Sequence, residues 1–202
     1  MTTARDLFIV TLDAASGRPV EQGDLSLALA GAELVDLIDA QELTLDGDRI
    51  VPGPPSAVGV GDRLLHDAAS SLIRQAPYES VEEWLWRRGR GLSSAYLAVL
   101  ETEGQVTRQR HRWIPVRTDR TALADSPDRR HAADRWTSGE PVLAALAAAT
   151  GVQEQAEDSL RLSDDTTVTV LAAVNDAVME LEAVRQRRSI EESAFDNIWR
   201  GE

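Results

Sequence analysis

The chain has 202 residues and a formal charge of −13, from 21 basic and 34 acidic residues, and it contains no cysteine. That excludes a disulfide framework, a thiolate metal site and a thiol nucleophile; because every basic residue is arginine, Schiff-base lysine chemistry and a phosphate-loop lysine are excluded too. With 43% hydrophobic residues, this length suits one large core better than two small ones, so a single domain over 1–202 is expected.

No apolar run approaches the roughly 20 residues of a spanning helix, and the amino-terminal stretch lacks a basic segment before its apolar one. The expectation is a cytoplasmic protein, soluble or peripheral at the cytoplasmic face of a membrane.

In chain order, Asp6 to Leu12 is a short apolar segment for which periodicity leaves helix and strand open. Asp24 reads as an N-cap, because Leu25, Leu29, Ala32, Val35 and Ile38 follow at helical spacing. Leu43 and Leu45, the Asp46-Gly47-Asp48 turn, and Ile50-Val51 read as a hairpin ended by Pro52, with a surface loop up to Gly61. A helix follows over 62–74, with Leu64, Leu65, Ala68, Leu72 and Ile73 on its apolar side. Ser80 and Glu83 form a capping box that starts the next helix, placing Trp84, Leu85 and Trp86 in its first turns.

Gly89 and Gly91 interrupt that helix. It resumes over 92–103 and closes at Gly104, and 106–116 reads as a second hairpin whose return strand contains Trp113-Ile114. A weak repeat at an offset of 63 residues pairs Leu37 with Leu100, Leu43 with Val106 and Ile50 with Trp113, each copy a helix followed by a hairpin. Beyond it come a helix opened by Ser126-Pro127, an alanine-rich one from Pro141 to Thr150, a long one capped by Ser163 and running through Arg188, and a separate short one from Ile190 to Trp199 docking through Phe195 and Trp199. The fold class is therefore mainly α, a single helical domain with two small β-hairpins.

The segment from Arg87 to Arg120 breaks the acidic pattern: eight arginines oppose three carboxylates, a local charge of +5 on a remainder of −18. Such a face orients the chain toward phosphate-bearing surfaces and repels them elsewhere. Trp113 and Ile114, bracketed by Arg110, Arg112 and Arg117, suit an interface in which an indole enters apolar surroundings while arginines meet phosphates or a partner; core packing of Trp113 is the alternative. His66, His111 and His131 stand at no metal-ligand spacing, and there is no nucleophile elbow, dinucleotide fingerprint or phosphate loop. No enzyme activity, cofactor or metal is expected.

Residues 26–34 (SLALAGAEL), 42–49 (ELTLDGDR), 61–68 (GDRLLHDA), 80–84 (SVEEW) and Leu100 through Gly104 to Val106 together resemble, in order and spacing, the Golgi phosphoprotein 3 family, also called GPP34. The lysine-free composition suggests one of its actinobacterial members. The resemblance implies a peripheral membrane protein that recognises phosphatidylinositol 4-phosphate. The family's headgroup pocket uses a tryptophan before the first core helix, an arginine within it, and two arginines three residues apart. Carried onto this chain, these fall near Glu21, at Ala30, and at Arg90 and Ser93, so Arg90 is the retained cation, with Arg87 and Arg88 as candidates to stand in. The family's second hairpin serves membrane insertion and self-association, which by resemblance assigns that role to Arg110, Arg112, Trp113, Ile114 and Arg117. The expected partner is anionic phospholipid, a phosphoinositide by resemblance. The alternatives are a homo-oligomeric scaffold or adaptor without lipid, and a winged-helix-like nucleic-acid binder, which the acidic body and the arginine-free helix 92–103 argue against.

Overall fold

The structure, a computed structural model, describes residues 1–14, 20–54, 62–109, 120–152 and 164–199, and of 108–109, 120–122 and 193–199 the backbone alone. The described elements are α1 (Thr3–Ala14), α2 (Gln22–Asp39), β1 (Leu43–Asp46), β2 (Arg49–Pro52), α3 (Arg63–Ser70), α4 (Val81–Arg88), α5 (Leu92–Thr102), β3 (Val106–Gln109), β4 (Arg120–Leu123), α6 (Pro127–Thr137), α7 (Pro141–Ala149) and α8 (Asp165–Trp199). The fold is mainly α with two antiparallel two-stranded sheets, β1 with β2 and β3 with β4.

The centre of the molecule is α2. A helix lying on a core buries one stripe, but here every residue from Leu25 to Val35 is buried, because α1, α4, α5, α7 and α8 surround it. Small residues make that crowding feasible. Ala28, Ala30 and Ala32 are fully buried, and at Gly31 a Cβ would stand 2.3 Å from Val174 Cγ2 of α8, so α8 lies against bare backbone. The helix begins at Gln22, with Glu21 as its uncapped N-cap, and not after Asp24; Asp24 lies in its first turn, where the helix dipole favours a carboxylate.

The amino-terminal segment resolves to helix. Its Ala4, Leu7, Phe8 and Ile9 are buried, and its start is capped from another element: the Asp36 carboxylate of α2 accepts from the Thr3 amide at 2.8 Å and the Ala4 amide at 3.1 Å. Two ion-pair groups fix α1 further. Arg135 of α6 bonds the fully buried Asp6 at 2.6 Å and Glu140 at 2.9 Å. Arg5 meets Asp62, Asp128 and Glu103.

Several sequence-based boundaries hold. Ser80 Oγ accepts from the Glu83 amide at 3.1 Å while Glu83 accepts from the Ser80 amide at 2.7 Å, the reciprocal capping box. Asp62 caps α3 through Leu64 and Leu65, and Ser126 caps α6. Others are corrected. Helix α3 stops at Ser70, leaving Ile73 outside it and 41% exposed. The second hairpin returns at Arg120–Leu123, with Val106 opposite Leu123, later than the expected 106–116; Trp113 and Ile114 lie outside the described residues. The terminal helix is continuous over 35 residues, about 52 Å at the α-helical rise, with no break at Ser189, since no glycine or proline lies there to stop it. Ser163 and the side chains of Phe195 and Trp199 lie outside the described residues; Asp164 accepts from the Thr167 amide at the start of α8.

Gly31→Ala should overpack the α2–α8 contact and lower unfolding free energy by about 1–3 kcal/mol, read as a lower urea midpoint at unchanged slope.

Burial raises the Asp36 carboxyl from 3.8 to about 6 against the opposing amide hydrogen bonds. A carboxyl with the higher pKa in the folded state binds its proton more readily there, so its contribution is complete below about pH 3.8 and is lost as pH rises through 6. Burial raises Asp6, Asp24, Glu33 and Asp39 in the same sense. Stability should therefore fall between pH 4 and pH 6.5, by on the order of 3 kcal/mol from Asp36 alone, and Asp36→Asn should flatten that part of the slope in denaturation series at stepped pH.

Candidate functional site

The three arginines at the end of α4 share a sequence neighbourhood and nothing else. An α-helix turns about 100° per residue, so Arg87 and Arg88 leave α4 in different directions, and Arg90 lies beyond its end in the turn to α5. Arg87 lies over the buried Trp84 ring, 5.1 Å from its centroid, with its guanidinium forked on Glu79 and a further bond to the Ser71 carbonyl at 3.2 Å. Arg88 turns into the core. Its Nε and Nη2 meet the two oxygens of Glu33 at 2.7 and 2.9 Å, and Nη2 also bonds the Leu64 carbonyl at 3.0 Å. The Glu33 side chain is fully buried, and the Tyr96 hydroxyl donates to it at 3.2 Å.

Burial pushes the Glu33 carboxyl up, opposed by Arg88 and Tyr96. Burial pulls the Arg88 guanidinium down, but the Glu33 hydrogen bond and charge more than reverse it. Tyr96 is raised well above its ordinary value by burial and by the Glu33 charge. This is a neutralised structural triad, closed to an external phosphate.

Arg90 differs. It is exposed, has no acidic partner among the described residues, and lines a cleft of about 270 Å³ where α2, α5 and α8 meet. Gly91, at φ 70°, reverses the chain after it; an L side chain would be strained there. That turn starts α5 beside α2, and because Gly91 offers no capping side chain, Ser26 of α2 does the work: its Oγ accepts from the Ser93 amide at 3.1 Å and pairs with Ser93 Oγ at 2.9 Å. The first turns of two helices thus open onto one cleft, an arrangement that attracts anions. Trp86 and Leu27 give it an apolar floor, and Leu181 of α8 closes one side.

Of the positions carried from the family pattern, Arg90 and Ser93 are brought together in this cleft and Glu21 lies beside it, just before Gln22. Ala30 does not belong to it. That residue is fully buried with its carbonyl accepting from Trp84 Nε1 at 3.1 Å, so an arginine there would point into the core; the α2 positions on the cleft are Gln22, Gly23, Ser26 and Leu27. Arg110, Arg112, Trp113, Ile114 and Arg117 lie outside the described residues. Sequence reading passed over Trp86, although its two-residue offset from the core Trp84 puts the two indoles on opposite sides of α4. A second cavity, at the start of α1, is lined by Asp36, Asp39, His131 and Arg135. Of these, Asp36 caps α1 and Arg135 binds Asp6.

Removing one partner of a buried pair leaves the other charge uncompensated, so Arg88→Ala should lower stability by about 3–5 kcal/mol in chemical denaturation. Arg90→Gln should stay within about 0.5 kcal/mol of the parent, which separates the structural arginine from the free one.

Among curated proteins nothing matches the chain. The family model for Golgi phosphoprotein 3 (GPP34) matches residues 4–190, from the first turn of α1 to Ile190 in α8, and so takes in the cleft and both hairpins. The chain belongs to the GPP34 family.

Proposed function

We propose that this GPP34 domain is a non-enzymatic membrane-surface protein that binds anionic phospholipid, with the Arg90 cleft as its headgroup site. The observation that carries the reading is the contrast among three neighbouring arginines: Arg87 and Arg88 are held by Glu79 and Glu33, whereas Arg90 faces a cleft formed by two helix starts. A lipid phosphate there would meet a guanidinium, the exposed Ser94 and the positive ends of α2 and α5. The absence of any histidine or carboxylate among the cleft-lining residues, and the commitment of Ser26 to Ser93, favour binding over catalysis. Family membership supports the lipid class, and a phosphoinositide is the finer form of the proposal. No described helix is long and apolar enough to cross a membrane, which fits attachment from one side. One cation gives little headgroup discrimination, so the wild-type protein should respond chiefly to charge.

A second reading, self-association without lipid, draws on Val168, Met179 and Ile190, which are 42%, 70% and 68% exposed and recur every eleven residues, three turns, along one face of α8. Nucleic acid is no part of the proposal, because a strongly anionic body opposes a long polyanion.

Co-sedimentation with phosphatidylcholine vesicles, alone or with phosphatidylserine or phosphatidylinositol 4-phosphate, tests the lipid reading. Binding should require anionic lipid, weaken steeply between low and physiological salt, and drop by about tenfold in Arg90→Gln. Equal binding to neutral vesicles, or none to any, rejects it; light scattering that shows a dimer in the lipid-blind case would favour self-association.

A further inference from the structure

A second guanidinium, supplied by the carboxy-terminal helix, lies beside Gly23, one of the residues that line the cleft. Gly23 lines the cleft, and a Cβ placed on it would stand 2.7 Å from both Leu181 Cδ2 and Arg185 Nη2 of α8. With no side chain at 23, the tips of Leu181 and Arg185 of α8 lie directly against the first turn of α2; a side chain there would make these tips shift. Arg185 is only partly committed there. Its Nη1 pairs with Asp24 at 2.8 Å and reaches Glu182 at 3.5 Å, while Nη2, the nitrogen over Gly23, makes no hydrogen bond among the described residues. The guanidinium side chain retains 29% of its exposure, so the contact is accessible to a ligand.

Resting on the headgroup reading above, we propose that Arg185 is a second headgroup-binding residue of the Arg90 cleft, which a lipid phosphomonoester engages in exchange for Asp24. A phosphomonoester carries close to two charges and three acceptor oxygens, enough to engage two guanidinium groups; a phosphodiester has neither the charge nor the third oxygen. Asp24 competes for the same guanidinium and adds a negative charge beside the cleft. The Asp24–Arg185 pair therefore damps phosphomonoester binding in the wild-type protein, and loosening it sharpens the preference.

The test uses the full chain and two vesicle types of matched total charge, phosphatidylcholine with phosphatidylinositol 4-phosphate and phosphatidylcholine with phosphatidylserine. Thermal melts by circular dichroism verify that each variant is folded. Asp24→Asn should tighten binding to the phosphoinositide vesicles by about tenfold and to the phosphatidylserine vesicles by less than about twofold. The gain should vanish in the Asp24→Asn, Arg185→Gln double variant. Arg187→Gln, which removes the same charge from an exposed position two residues on, should change either by less than about twofold.

A gain that persists without Arg185, or a loss in Arg187→Gln equal to that in Arg185→Gln, means the effect is diffuse charge and overturns the assignment. Displacement from the vesicles by micromolar inorganic phosphate reassigns the site to free phosphate and overturns its lipid form. If the parent protein binds neither vesicle, the headgroup reading fails as a whole. If the parent binds and Arg90→Gln abolishes it while Arg185→Gln changes nothing, the role of Arg185 alone fails.

Discussion

Everything around the central helix is organised by one buried ion pair. Glu33 lies in the middle of α2 with no exposure, and a carboxylate there is tolerable only because Arg88 reaches it through two hydrogen bonds and Tyr96 adds a third. The pair is not needed for hydrophobic collapse, since well-packed apolar residues of similar volume would serve as well or better. What it sets is geometry. Arg88 can meet Glu33 only if α4 ends where it does and crosses α2 at that level, and Tyr96 can join only if α5 starts immediately afterwards. The Gly89-Arg90-Gly91 turn is the short connection between those two requirements, so the position of the exposed Arg90 follows from a contact in the core.

The same logic explains why neighbouring arginines of the basic segment differ in what they face. Arg87 and Arg88 carry two of the eight positive charges between 87 and 120, and both are offset by carboxylates outside that segment, Glu79 just before α4 and Glu33 on α2. Glu33 is 55 residues from Arg88. A local charge count assumes that neighbouring residues face the same medium, and a helix violates this every two residues.

Capping by distant side chains is a second recurring device. Helix α1 is capped by Asp36 of α2, and α5, whose N-cap is a glycine, by Ser26 of α2. Each satisfies amides that would otherwise be orphaned at a helix start, and each ties a peripheral helix to the central one by a directional bond and not merely by packing. At Asp36 the burial that makes the tie effective also raises the carboxyl, so the packing of α1 is coupled to protonation. At Ser26 the tie brings the starts of α2 and α5 side by side, so the positive ends of both helix dipoles open onto the cleft.

Much of the architecture was readable in the sequence because its signals are local. The Ser80–Glu83 capping box, the Asp46-Gly47-Asp48 turn, the Ser126 and Asp62 caps and the glycine at 104 each depend on residues within a few positions of one another, and each ends or starts an element where expected. The order of these signals was also enough to indicate the GPP34 family. The failures have physical causes. A break at Ser189 had no glycine or proline to enforce it, and the second hairpin returns at Arg120–Leu123, later than 106–116, because strand pairing is not a local signal. The cleft belongs wholly to the tertiary structure. Gln22, Gly23, Ser26, Trp86, Arg90, Ser93 and Leu181 come from four helices and a turn, and no pattern along the chain relates residue 23 to residues 181 and 185. The sequence by itself determined which residues could carry charge and where helices begin. Which of Arg87, Arg88 and Arg90 was left without a carboxylate among the described residues was decided by tertiary packing, because a buried carboxylate takes the nearest guanidinium it can reach in space, whatever the distance along the chain.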